Sequence, residues 1–175
     1  MKIIIGLIFT ALTFYGHSQN KMTNDYTKFA KDNYSIQYPK SWRLDTSKLQ
    51  GTSFILFSPL ENDSDKFSEN ITLIIQNLSG QKIGLEEYKQ ISEVQTKNLL
   101  KGGSIIESSI IKTDGDNYYK IVYTMTSGKL KLKDIGICYI KNDKAYLVTF
   151  SCEIDKFEIY KSIADNIFKS FSLTS

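Results

Sequence analysis

Apolar and polar positions along the chain change period several times, and each change marks an element. Ile36 and Tyr38 make a short extended segment, with Tyr38 held in the β region because Pro39 follows it. Pro39-Lys40 fits the centre of a turn. Trp42-Arg43-Leu44-Asp45 then alternates apolar and polar, as a half-buried strand does. "SFILFSP", residues 53–59, and "ITLIIQNL", residues 71–78, are continuous apolar runs of β type, separated by the charged loop "LENDSDKFSEN". The period then becomes helical. Leu85, Tyr88, Ile91, Gln95 and Leu99 share a stripe, acids occupy the first turn, and Gly102 stands where a C′ glycine belongs. Four strands follow, at residues 105–112, 118–125, 129–140 and 145–153. They are joined by "DGD", "SG" and "ND", which are hairpin turns. A last helix begins at Asp155, with Glu158 as a capping-box partner. It carries a stripe of Phe157, Tyr160, Ile163, Ala164, Ile167, Phe168 and Phe171.

Strands, one helix, a four-strand meander and one helix make an α+β domain with a largely antiparallel sheet and helices packed on it. The polar residues 19–33, with Tyr26 and Phe29 as their bulky anchors, read as a loose arm or a short helix ahead of a single domain over 34–175.

The chain's start reads as an export signal. Lys2 precedes the apolar run "IIIGLIFTALTFYG", and Gly16-His17-Ser18 places small residues for a cut after Ser18. The run is short for a membrane span, and no later segment is long and apolar enough for one. No Cys lies near the cut to carry a lipid. These features predict a periplasmic or secreted protein that is neither a lipoprotein nor membrane-spanning after cleavage.

Composition narrows the function classes. The 22 basic and 19 acidic side chains give a net charge of +3, so the basic footprint of a nucleic-acid binder is missing. The single histidine is His17, inside the expected signal. Ser-His and Cys-His nucleophile pairs and His-ligated metals are therefore excluded from the mature chain. "SGQK" at Ser79 and "SIIK" at Ser109 match Ser-x-x-Lys, but the companion motifs of that chemistry are missing and neither serine begins a helix. Four Asn-x-Ser/Thr triplets, at Asn33, Asn62, Asn70 and Asn77, are the chance yield of a composition rich in Asn and Ser. Glu61, Asp63 and Asp65, and Asp114 with Asp116, lack the glycine or the distal acid of a calcium loop. They read as solvated loops. No cofactor and no catalytic residue is expected.

Cys138 and Cys152 are the two cysteines. With Asn142-Asp143 as a two-residue turn, Cys138 falls opposite Leu147. Cys152 then lies five residues further along and on the other face, too far for a bridge. Free buried thiols are expected. Two candidate binding features remain. Lys129, Lys131 and Lys133 line one face of a strand, read as a solvated edge or a dock for an acidic partner or an anionic head group. Trp42 is a core anchor or, in the alternative, a ligand contact.

The order of "YSIQYPKSWRL", the helix carrying Tyr88, the meander closing on "AYLVTFSC" and the terminal "IFKSF" resembles the PsbP-like superfamily. Its fold is shared with Ran-binding nuclear import factors and the envelope protein DcrB. In that superfamily Tyr-Pro-x-x-Trp, here Tyr38, Pro39 and Trp42, is a structural corner. The resemblance implies α/β/α layering and an accessory or binding role without catalysis. The partner it implies is another envelope protein. Some relatives bind hydrophobic segments, which gives a chaperone-like alternative. A hydrolase using carboxylates alone is the third and weakest reading.

Overall fold

The computed structural model describes residues 25–100 and 102–174. The expected export signal, residues 1–18, lies outside them. Within them the chain forms ten strands and two longer helices: β1 (Tyr26–Lys31), β2 (Tyr34–Pro39), β3 (Arg43–Asp45), β4 (Phe54–Phe57), β5 (Asn70–Asn77), α1 (Leu85–Leu99), β6 (Ile105–Ile111), β7 (Tyr118–Ser127), β8 (Leu130–Lys141), β9 (Lys144–Glu153), α2 (Phe157–Ser170) and β10 (Ser172–Leu173).

A seven-stranded antiparallel sheet in the order β3-β4-β5-β9-β8-β7-β6 forms the middle layer. Strand alternation divides its side chains between two cores. On one face Tyr119, Ile121, Tyr123, Cys138 and Leu147 pack with Tyr88 of α1. On the other, Val122, Ile135, Val148, Phe150 and Cys152 pack with β2 and with Tyr160, Ala164 and Ile167 of α2. β2 is the middle strand of a second, three-stranded sheet, β1-β2-β10. The layers are therefore α1, the large sheet, and α2 beside the small sheet.

The meander is the part that local sequence dictates most directly. Asn142 and Asp143 both have positive φ, at 50° and 54°, as a two-residue type I′ turn requires. That turn sets Cys138 opposite Leu147. The two cysteines lie in different cores, both buried and both free.

Local readings fail at four places. Residues 26–31, expected as arm or short helix, pair along their full length with β2, Tyr26 opposite Pro39. Pro39 ends β2 and accepts the Trp42 amide at 2.9 Å, so Lys40-Ser41, not Pro39-Lys40, are the turn's central pair. α1 stops at Leu99 with Leu100 extended. Gly102, φ 62°, comes after the cap and does not form it. α2 begins at Phe157 after a 3₁₀ turn over Ile154–Lys156, and no side chain caps it. Asp155 therefore makes no capping box. The reason appears at Lys156, whose side chain is drawn into the carboxylate cluster described next.

Candidate functional site

Two places in the fold concentrate chemistry. The first surrounds Lys156, at the entry to α2. Its Nζ lies 2.9 Å from Asp65, 3.0 Å from Glu153, and 3.9 Å from both Glu61 and Glu69. Asp65 comes from the charged loop, which folds inward; its carboxylate accepts the amides of Glu61 and Phe67. Glu69 is wholly enclosed, accepts a hydrogen bond from Ser58 at 3.2 Å and lies 3.9 Å from the Cys152 Sγ. Burial raises the Glu69 carboxyl to about 7, against the lowering effect of Lys156. Burial also acts to raise Asp65, but its hydrogen bonds to Lys156 and to backbone amides outweigh that and hold it below its usual value. Lys156 is the mirror case: burial works to lower it, and the hydrogen bonds it donates to Asp65 and Glu153 carry it upward.

This cluster ties the charged loop that leads into β5 to the end of β9 and the 3₁₀ entry of α2. A second buried carboxylate, Asp134, sits on β8 opposite Tyr123 and Ser151 and is raised to about 7 by burial. Tyr123 belongs to the α1-side core, whereas Glu69 touches Cys152 in the α2-side core. The two carboxylates with raised affinity for a proton thus lie on opposite faces of the sheet and do not face each other across one cleft. That geometry does not supply the acid–base pair a carboxylate hydrolase uses. Among the described residues no group of three or more His, Cys, Asp or Glu side chains is arranged to hold a metal ion.

The second place is a groove beside α2. This helix lies against β2 and β9 and leaves the same face of β6, β7 and β8 partly open. The resulting cleft, about 400 Å³, has Tyr118, Tyr139, Ile135 and Ile137 as its floor. Phe168 and Phe171 form a wall, and Lys161, Asp165 and Lys169 stand on the α2 rim. A further depression of about 300 Å³ shares Tyr139 and Phe171 and continues towards Asp116 and Leu173. The rings form a ladder: Tyr118 to Tyr139 at 5.2 Å, Tyr139 to Phe171 at 5.9 Å, Phe171 to Tyr34 at 6.3 Å. Partial burial, with Tyr118 and Asp116 nearby, pushes the Tyr139 phenol to about 12, so it stays a neutral donor. Concave, mostly apolar and edged by a few charged groups, the groove has the character of a binding site.

None of the residues put forward from sequence as binding candidates lines it. Trp42 is 5% exposed and packs edge-on against Tyr160 at 6.4 Å. Lys129 lies in the β7–β8 turn and Lys131 is exposed. Lys133 bends over the Phe157 ring, its Nζ 3.8 Å from the centroid. The three lysines do not form one open face, and β8 is an interior strand, not a sheet edge. The groove residues stand in the sequence within its strands and last helix, where the helical stripe marks only Phe168 and Phe171 as core. Their one separating signal, a Tyr on each of two neighbouring strands in register, needs the β7–β8 pairing to be seen.

With this architecture in view, the chain belongs to the PsbP family, whose model matches residues 24–173. Among solved structures it is similar to cyanobacterial PsbP (CyanoP) from Synechocystis sp. PCC 6803, at 19% identity and a TM-score of 0.66, covering 90% of this chain and 98% of that one. It is also similar to LpqN, described as involved in cell envelope biogenesis of Mycobacterium tuberculosis, at 14% identity and a TM-score of 0.63, covering 87% and 93%. A Pseudomonas aeruginosa protein of unknown function shares 11% identity with a TM-score of 0.57, covering 83% and 94%. No curated protein matches the chain. Among the described residues no helix is long and apolar enough to cross a membrane.

Proposed function

We propose that this is an exported, non-enzymatic accessory protein of the bacterial envelope. It binds an extended segment of another envelope protein in the groove beside α2. The groove is the observation that carries the reading: an aromatic ladder left half-covered by α2, with Lys161 and Lys169 on its rim. Apolar side chains of the segment fill the floor between Tyr118, Tyr139 and Phe168, and an acid on the segment meets the rim lysines. Membership of the PsbP family and the envelope role stated for LpqN support the setting. The export signal expected over residues 1–18, with its cut after Ser18, fits the same compartment.

The apolar lining also favours the chaperone-like reading, in which the groove shields hydrophobic segments of many envelope proteins. The two readings differ in partner number. Display of peptides tiled from the host's envelope proteins, selected on the mature protein, separates them. The accessory reading predicts a few related peptides, lost on Tyr139→Arg. The shielding reading predicts many unrelated apolar ones. Binders unaffected by Tyr139→Arg and Lys169→Glu would place binding elsewhere and contradict both.

A further inference from the structure

Charge is distributed unevenly around the α2 groove. On its β7 side Lys120 is held by Glu107 at 2.8 Å, and in the adjoining depression Asp116 is paired with Lys141 at 3.5 Å. The α2 rim differs. Lys161, Asp165 and Lys169 follow one another at four-residue spacing, so they stand on one ridge of the helix with signs plus, minus, plus. That spacing permits ion pairs within a helix. Among the described residues, however, none forms an ion pair with any of the three. Lys161 and Lys169 are exposed, and Asp165 is half-buried.

The groove also has a direction. At the start of α2, Lys133 of β8 lies over Phe157; just past its end, Tyr139 of β8 meets Phe171. β8 and α2 therefore run the same way. Residues 133 to 139 span about 20 Å of strand, and residues 157 to 171 about 21 Å of helix. Between these ends Ile135, Ile137 and Tyr139 line the groove at every second position of β8. An extended segment laid along the groove alternates its side chains in the same way. Those at i+1 and i+3 enter the floor, and those at i, i+2 and i+4 face outward, where the rim charges stand. Two residues of strand advance about 6.7 Å, and four residues of helix about 6.0 Å. Over the whole triplet the two repeats part by about 1.4 Å, which lysine and glutamate side chains absorb.

We propose that the α2 rim reads charge pattern: the groove selects an extended segment of its partner protein with an acid at i, a base at i+2 and an acid at i+4, and with apolar side chains at i+1 and i+3. This rests on the groove being the peptide site and adds what it selects. The two acids meet Lys161 and Lys169, and the base between them meets Asp165. A segment slipped by two residues sets an acid against Asp165 and its base against a lysine, so like charges oppose the wrong register as well as the wrong partner. The pattern reads the same in both directions. The signs therefore fix the register of the segment and leave its direction to the floor.

A random peptide library displayed on phage, selected in parallel on the mature protein and on a charge-inverted variant, tests this. The variant combines Lys161→Glu, Asp165→Lys and Lys169→Glu, and circular dichroism with Trp42 emission checks that it folds. The wild type is expected to enrich acid-apolar-base-apolar-acid peptides, and the variant the opposite signs. In fluorescence anisotropy at low salt, a peptide containing Glu-Leu-Lys-Leu-Glu should bind the wild type about tenfold more tightly than one containing Lys-Leu-Glu-Leu-Lys. The variant should reverse that preference, and about 0.5 M salt should largely remove it. The wild-type comparison stands without the variant. Tyr139→Arg separates the two claims. Peptides that bind with no preference for either sign pattern, yet are lost on Tyr139→Arg, would overturn the charge reading and leave the groove as the binding site. Peptides indifferent to Tyr139→Arg, or no enrichment at all, would overturn the groove reading and this inference with it.

Discussion

Asp134 offers a quantitative test of how the sheet is assembled. The residue is 2% exposed, between Tyr123 and Ser151. Burial raises its pKa from 3.8 to about 7, opposed by hydrogen bonds involving Ser151 and Tyr123. The folded protein therefore holds this proton at a pH where the unfolded chain has lost it. Between about pH 4 and 7 the folded state binds more protons, so stability is fully present below that window, falls as pH rises through it, and is flat above. A gap of roughly three pKa units corresponds to at most about 4 kcal/mol. Asp134→Asn keeps the shape and removes the ionisation. Glu69 titrates in the same range with the same sign, so the wild-type slope contains both groups, and the difference between the two proteins isolates Asp134. Urea unfolding followed by Trp42 fluorescence at several pH values is the assay. The variant should match or trail the wild type near pH 4 and exceed it near pH 8, by up to about 4 kcal/mol. A difference that stays constant with pH would refute the reasoning, because no proton would then be linked to folding at this position.

Three further outcomes follow from packing. Trp42→Ala, which empties the corner between β2 and α2, should cost about 3–5 kcal/mol in urea unfolding. Lys156→Met should destabilise by about 3–5 kcal/mol near neutral pH in urea unfolding, since Asp65, Glu69 and Glu153 are left without their common cation. Gly103→Ala should lower the melting temperature, because a Cβ there would collide with the Thr124 carbonyl oxygen and force the β6 entry away from β7.

The meander and the two helices were legible because their signals are local. Hairpin turns such as Asn142-Asp143 fix register within a few residues, and the 3.6-residue stripe of Phe157, Tyr160, Ala164 and Ile167 states which face α2 buries. β1 was not legible. Its residues are weakly apolar, and they extend because β2 offers a partner at every position from Tyr26 to Lys31. The start of α2 was misread for a related reason. Asp155 and Glu158 have capping-box spacing, but Lys156 is committed to acids from residues 61 to 153, and that tertiary demand sets the 3₁₀ entry. The groove was the least legible feature. It is space that α2 leaves over β6, β7 and β8 by lying on β9 and β2, and no pattern within a single element encodes it.

Site-specific photo-crosslinking in the native host tests the central claim most directly. Benzoyl-phenylalanine is placed at Lys161 or Lys169 on the groove rim, and at Val94, exposed on the far helix α1, as the control. The account predicts crosslinks to a discrete envelope protein from both rim positions and none from Val94, with loss of the rim crosslinks when Tyr139→Arg is added. Equal crosslinking from Val94, or rim crosslinks that survive Tyr139→Arg, would contradict the assignment of the groove as the binding site.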